Sequence, residues 1–492
     1  MINKRVVAGA LVCLLFGAIC FSQTKGTDSK ILSVSFKGPE KTVHMVVIRT
    51  SGGEWVRCIP ADEISPGKYE AAWDGNDYTG RQMRRGIYKA YVSTGISWEL
   101  DRSFGYDGRI GPAESRYVVS DPSDASFKVP GAVYRMMVNS HEYERAYDFA
   151  SAETTYMLEK GCVTVNPARL NKADTITISY YRPCFLENPW DMAVAPDGSL
   201  FILLRWRKMW HGLYPGSLVK LKPDGRTVDT SFGVDGEIPW FHRASQVILA
   251  PLENRLYIAG SAYGTYGTGS YKLDTGAYWF YIGGHWDNGR DPATTWWPSG
   301  ICLGEGTKIY IGDLKVYDRT KPMKEGFLYS ANVKTGIIRP GPSMEKAPEP
   351  DMFYLTGWTT GISKMKDIGT DVKEEYSLIL PHRVIGISLD ARRRFLFAGS
   401  RMPDGFVSVL YDNGTSIKEI TRLEDKDLAG IHTVRYHDGY LYVVEDSVSF
   451  TEGGYCAEEM NMPRTTSIGK NRVSRYVIRY GREQFLADIE KR

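Results

Sequence analysis

The sequence predicts an all-β protein. Three observations carry that expectation. Apolar strand patterns bounded by turn residues recur along most of the chain. Long helical periodicity is scarce. Fifty glycines supply the turns that such a fold needs. At 492 residues the chain is also too long for one ordinary domain. Hydrophobic content of 42% beside charged content of 24% is that of a globular protein. The formal net charge is +3 and no basic block stands out, so nucleic acid is not an expected partner.

The N-terminus reads as an address. Lys4 and Arg5 precede the apolar run VVAGALVCLLFGAICF, Val6 to Phe21, in the pattern of a secretory signal peptide over residues 1–22. Cleavage is expected near Cys20 or Ser22, and a secreted, periplasmic or cell-surface location follows. A membrane anchor is the alternative, but the run is short and contains glycine. Acylation at Cys20 would need a small residue where Ile19 stands. No later apolar stretch is long enough to cross a bilayer, so the mature chain is expected to lack a transmembrane segment. Beyond the signal lie Cys58, Cys162, Cys184, Cys302 and Cys456. They form no CxxC, which argues against zinc. Cys162 and Cys184 are the nearest pair, and read either as a disulfide or as separate thiols.

Residues 30–120 contain successive strand patterns: VHMVVIRT, EWVRCI and KYEAAWDGNDYTGRQMRRGIYKAYVST. Trp73-Asp74-Gly75, followed by Gly80 and then by Gly86-Ile87-Tyr88, resembles the immunoglobulin-like module of flagellar hook-capping proteins. The resemblance implies a β-sandwich acting as spacer or docking unit. It also implies that Trp-Asp-Gly ends a strand and that the later Tyr points into the core. Asp74, Asn76 and Asp77 lack the alternating oxygens and distal Glu of a calcium loop, and read as a capped turn. Residues 121–183, with the hairpin pattern CVTVNPARLNKADTITISYY, read as a small β module. It links the sandwich to the rest or supplies a strand that closes a ring.

From 184 to 482 a unit recurs. AVAPDGSLFILL, VILAPLENRLYIAG, GICLGEGTKIYIGD, IGISLDARRRFLFAG and VRYHDGYLYVVED each read as strand, turn and apolar strand. Further strands follow each, so the repeat is four-stranded. Met192, Gln246 and Gly300 are evenly spaced, 54 residues apart. A repeat of this size is the signature of a β-propeller, whose blades bury their faces by stacking in a ring. PWDMAVAPDGSLFIL and WPSGICLGEGTKIYIGD resemble NHL and related six-bladed repeats. Five copies are visible. The wide interval before Gly386, containing TGWTTGISKMKD and EYSLIL, holds room for a degenerate sixth; six blades are expected, with five or seven as alternatives. Residues 483–492 read as a tail.

Residues opening each inner strand should face one mouth of the central channel. By the repeat these are Trp190, Asp191, His242, Arg243, Trp297, His382, Arg383 and His432. They form a candidate polar ring, although such groups also tie blades together. The catalytic candidates are His382, His432, Arg243, Arg383 and Asp191. A His base beside an Arg that neutralises an enolate would suit a polysaccharide lyase. A metal held by His382, His432 and Asp191 lacks any supporting ligand spacing, so no cofactor is expected. Trp206 and Trp210 in RWRKMWHGLY and Trp286 in GGHWDNGRDP pair aromatics with polar groups in loops, as sugar-binding surfaces do. With Trp190, Trp297 and His242 they form the expected ligand surface. Asn413-Gly414-Thr415 reads as a hairpin turn rather than a glycan acceptor. No nucleophile elbow, phosphate loop or dinucleotide fingerprint is present. The expectation is a secreted binding or scaffold platform for a glycan or a protein at the propeller face. A channel-mouth lyase or metal-dependent hydrolase is the alternative.

Overall fold

The computed structural model describes residues 32–104, 113–129, 132–145, 155–159, 162–181, 186, 189–204, 207–209, 212–214, 216–233, 236–262, 267–283, 300–312, 314–322, 324–331, 340–357, 360–401, 405–445 and 471–491. The expected signal at 1–22 lies outside them. The described elements are strands and three short 3-10 turns. No helix among the described residues is long and apolar enough to cross a membrane. The chain divides into two units, one of Met1–Ile96 with Tyr480–Arg492 and one of Ser97–Arg479.

The first unit is a sandwich. One sheet orders Leu32–Lys37, Lys68–Trp73 and Asp62–Ser65; the other orders Trp55–Pro60, His44–Thr50, Gly86–Thr94 and Gln484–Lys491. Val46, Ile48, Tyr69, Trp73, Tyr88 and Ile489 are buried between them. Trp73 ends its strand and Tyr88 meets it edge-on at 4.9 Å. The Trp73 indole N–H donates to the Asn76 carbonyl at 2.8 Å, and the Tyr88 hydroxyl to the Arg84 carbonyl at 2.7 Å. Each polar end is thus satisfied without leaving the core. Asp77 caps its turn through the N–H groups of Thr79 and Arg81, at 2.9 and 3.0 Å.

Two expected boundaries move. The sandwich ends near residue 96 rather than 120, and the expected tail is a strand. Apolar Leu486 and Ile489 enter the core, the Arg49 guanidinium grips Glu483 at 3.0 Å, and Lys491 Nζ donates to the Gly75 carbonyl at 2.7 Å. These contacts and the ladder to Gly86–Thr94 hold the C-terminal segment in place.

The second unit begins with the strand Ile96–Phe104, then a seven-stranded sheet built from residues between Ala113 and Tyr181. That sheet has its own core around Met136, Val163, Val165, Ile176 and Ile178. Cys162 lies on one of its strands as a free thiol; Cys184, read with it as either a disulfide or separate thiols, is outside the described residues.

The rest is a six-bladed propeller. Blade 1 holds Pro189–Val194, Leu200–Leu204, Gly216–Leu221 and the first part of Glu237–Ala250. That strand shifts register between His242 and Gln246, and its second part opens blade 2, which continues with Arg255–Ala262, Thr268–Lys272 and Tyr278–Ile282. Blade 3 holds Ile301–Leu303, Lys308–Ile311, Lys315–Asp318 and Phe327–Ser330. Blade 4 holds Pro340–Lys346, Met352–Gly357, Gly361–Asp367 and Val372–Ile379, and is complete rather than degenerate. Blade 5 holds Val384–Asp390, Phe395–Ser400, Phe406–Asp412 and Ile417–Glu424. Blade 6 holds Ile431–His437, Tyr440–Glu445 and Arg472–Tyr480, and its outer strand is Ile96–Phe104. The closing strand therefore comes from residues 96–104, not from the module at 121–183. Each inner strand packs on the next, and that of blade 6 returns to blade 1.

Apolar clusters fill the spaces between blades, as in Phe201, Val247 and Ile258, or Tyr310, Phe353 and Met365. Buried carboxylates add polar locks. Asp412 of blade 5 takes Lys364 Nζ at 2.6 Å, Arg394 Nη2 at 2.7 Å and the Tyr376 hydroxyl at 2.6 Å, with the Tyr354 hydroxyl also bonded. Asp367 of blade 4 takes Lys308 Nζ at 2.6 Å and the Tyr310 hydroxyl at 2.8 Å from blade 3.

Candidate functional site

Around the axis, each inner strand is a sheet edge with backbone groups that its own blade leaves unpaired. Polar side chains from neighbouring blades supply partners. Asp191 of blade 1 accepts the Val247 N–H of blade 2 at 2.8 Å and faces Arg435 Nη2 of blade 6 at 2.6 Å. The same guanidinium donates to the Met192 carbonyl at 3.0 Å and the Ile387 carbonyl at 2.8 Å, reaching blades 1 and 5. Gln246 of blade 2 accepts from Ile301 N–H at 2.8 Å and Met344 N–H at 3.1 Å, and donates to the Met344 carbonyl at 2.8 Å. The Ser388 hydroxyl accepts the Tyr436 N–H at 2.8 Å.

Burial pushes the Asp191 carboxyl up, while Arg435 and the Val247 N–H pull it down. Glu345 stands two residues after Ser343 on the inner strand of blade 4, hence on the same face. Burial pushes its carboxyl up to about 7; Arg435 opposes the rise and Asp191 adds to it. Glu345 was not expected as a site residue, because the strand that carries it, Pro340–Lys346, was not visible as a repeat.

At the start of the inner strands, His432 packs on Trp190 with centroids 3.5 Å apart, and its Nδ1 lies 2.5 Å from the Trp190 carbonyl. That contact to an acceptor places a proton on Nδ1. The Arg401 guanidinium lies 5.4 Å from the Trp190 ring, and the Arg401 N–H donates to the Arg383 carbonyl at 3.1 Å. All four side chains are buried.

His382 has different neighbours. Its Nε2 lies 3.3 Å from the Ser408 hydroxyl, which donates to Glu419 at 2.7 Å, and Phe406 meets the ring edge-on at 4.7 Å. Burial lowers its pKa; Glu419 opposes this and Arg422 adds to it. Of the expected residues the structure thus groups Trp190 with His432, while Asp191 pairs with Arg435, which was not expected. It gives His382 and His432 no shared partner among the contacts described.

His242 and Arg243 lie on the strand Glu237–Ala250, but their side chains fall outside the described set. Trp206, Trp210, Trp286 and Trp297 also lie outside the described residues. Among the described residues no group of three or more His, Cys, Asp and Glu is placed to hold a metal ion.

Residues 21–96 match the FlgD Ig-like domain. No curated protein matches the chain. A structural genomics protein of unknown function from Bacteroides thetaiotaomicron is similar at 11% identity and a TM-score of 0.42, over 96% of this chain and 99% of that one. A Lactobacillus plantarum protein is similar at 13% identity and a TM-score of 0.39, over 71% and 100%. Hydrazine synthase of Kuenenia stuttgartiensis is similar at 13% identity and a TM-score of 0.35, over 53% and 93%. These distant likenesses add nothing to the architecture, which rests on the strand pairings themselves. The chain is an all-β protein in which an FlgD Ig-like domain accompanies a six-bladed propeller.

Proposed function

We propose that the protein is a secreted platform that binds a glycan or a surface protein through its propeller, with the Ig-like unit as spacer or dock. The supporting observation is the use made of the axial polar groups. Asp191, Gln246 and Arg435 spend their hydrogen bonds on tying blades together, and His382 and His432 are buried. That is what a rigid scaffold needs, and it leaves recognition to surface residues. The run Val6 to Phe21 supports export. The aromatic loop residues Trp206, Trp210 and Trp286 are the nominated contacts.

One observation favours a second reading. A carboxyl near 7, as at Glu345, is the kind of group that exchanges protons in catalysis. An extracellular lyase or hydrolase acting at the channel therefore stays as the alternative. One experiment separates them. The protein is run in affinity gels with neutral and acidic polysaccharides, with and without divalent metal, and the same mixtures are assayed for new reducing or unsaturated ends. Retardation without new ends supports the platform. New ends lost in Glu345→Gln, His382→Ala or His432→Ala overturn it in favour of the enzyme.

A further inference from the structure

The outer strand of each blade is an edge, and edges are normally guarded by charge. Blade 4 exposes Lys373 and Glu375 there, blade 5 exposes Arg422 and Glu424, and blade 6 exposes Glu99 and Asp101. Blades 2 and 3 do not follow this rule: the outer strand of blade 3, Phe327–Ser330, is uncharged and exposes Leu328. Blade 2 exposes two aromatic rings. Its outer strand reads Tyr278-Trp279-Phe280-Tyr281-Ile282, without a charge, and leaves Tyr278 51% and Trp279 48% exposed. Phe280 packs inward on the cluster between blades 2 and 3. Core packing accounts for that residue but not for the two exposed rings.

The charges lie beside this strand and are positive. Arg255 and Lys272 face each other on the second and third strands of the blade. The Arg255 guanidinium sits 3.9 Å from the Trp279 ring centroid, and Lys272 Nζ lies 5.8 Å from it. A guanidinium stacked on an indole keeps its in-plane N–H groups available for a carboxylate. Two nearby acids have partners of their own. Glu253 is held chiefly by Arg319, Nε at 3.0 Å, with a weaker influence of the Arg255 charge, and Asp274 accepts the Thr275 N–H at 2.7 Å in a turn.

We propose that the outer strand of blade 2 is a binding site for an acidic polysaccharide chain. Trp279 and Tyr278 supply flat apolar faces for sugar rings, and Arg255 and Lys272 receive carboxylate or sulfate groups. The site rests on the reading of the protein as a glycan-binding platform, but lies on a different element from the loops nominated there. Charge argues against a second copy on this strand, because pairing would bring like cations together. The register shift between Ser270 and Tyr271 also makes the edge irregular for an added strand.

The test is native affinity electrophoresis of the full chain in gels containing polygalacturonate, with neutral dextran as control. Polygalacturonate is expected to retard the protein, less so as salt rises, and dextran is not. Trp279→Ala and the pair Arg255→Gln with Lys272→Gln are each expected to weaken apparent affinity about tenfold. Trp279→Phe should keep most of it. Unchanged thermal melting of the variants establishes that folding is not the cause. Equal retardation of Trp279→Ala and the parent would overturn the site, and loss in Trp206→Ala, Trp210→Ala or Trp286→Ala would then leave the platform reading standing. No retardation by any polysaccharide would overturn the site and the glycan half of the platform reading, leaving a surface protein as the partner. A concentration-dependent dimer abolished by Trp279→Ala would assign the strand to self-association and overturn the proposal.

Discussion

Glu345 shows what closing a ring does to one side chain. Its ordinary carboxyl value is 4.5, and in the folded protein it rises to about 7. The folded state therefore holds this proton more tightly than the unfolded chain does. Below about 4.5 both states are protonated and the group is neutral to stability. Between 4.5 and 7 the unfolded chain releases its proton first, and stability falls as pH rises. Glu345→Gln should thus raise the melting temperature at pH 8 and leave it unchanged at pH 4. A pH series of thermal melts on parent and variant reads this directly. An equal gain at both pH values would mean that packing, not charge, is responsible. Nothing in the segment SMEK announced this. The pKa rises through burial and the nearby Asp191, against Arg435, surroundings that only the closed ring supplies.

At the scale of the element, the blades were legible where their signals are local. The hairpins around Asp197-Gly198 and Asp438-Gly439 are written in adjacent residues, and both glycines adopt positive φ. That Trp73 ends a strand and Tyr88 points into the core was legible as a resemblance, and the structure also brings the two rings together. Pairings that depend on distant partners were not legible. Ile96–Phe104 looked like part of the sandwich until Arg472–Tyr480 paired with it. The same holds for the locks between blades. Asp412 joins residues from blades 4 and 5, and Arg394, Lys364 and hydrogen bonds from two tyrosines hold its carboxyl well below the usual range after opposing the cost of burial. Asp412→Asn leaves the buried Arg394 and Lys364 cations with Glu349 as their remaining carboxylate and should destabilise the protein by about 2–3 kcal/mol, read by denaturant unfolding at neutral pH. Because this carboxyl is depressed, its contribution is present above the ordinary carboxylate range and fades as pH falls through the folded value. The parent–variant difference should therefore shrink in acid. A gap that held constant with pH would point to shape rather than charge.

For the whole molecule, the strand Gln484–Lys491 changes what the sandwich is. One sheet is finished only by the far end of the chain. At the junction the Gly481 N–H donates to the Gly95 carbonyl at 3.1 Å, and the Ser93 hydroxyl to the Gly481 carbonyl at 2.6 Å. A Cβ on Gly481 would fall 2.0 Å from the Thr94 carbonyl oxygen, so this close approach requires glycine. The propeller unit is thus an insert with adjoining ends. A protein of residues 32–95 joined by a short glycine turn to 481–491 should fold cooperatively. Residues 32–96 alone should melt far lower or remain unfolded, since Leu486, Ile489 and the Arg49–Glu483 pair are missing. Circular dichroism and amide exchange on the two polypeptides give the answer, and equal stability would mean that the last strand is dispensable.

The same junction sets an order on synthesis. Chains usually fold from the N-terminus as they emerge. Here the sandwich leaves the ribosome before the propeller but is completed after it, since its final strand follows the last blade. Until then Gly86–Thr94 presents a bare edge, bearing Tyr88, Ala90 and Val92 from the eventual core. The nascent protein must carry that unfinished sheet through the making of all six blades.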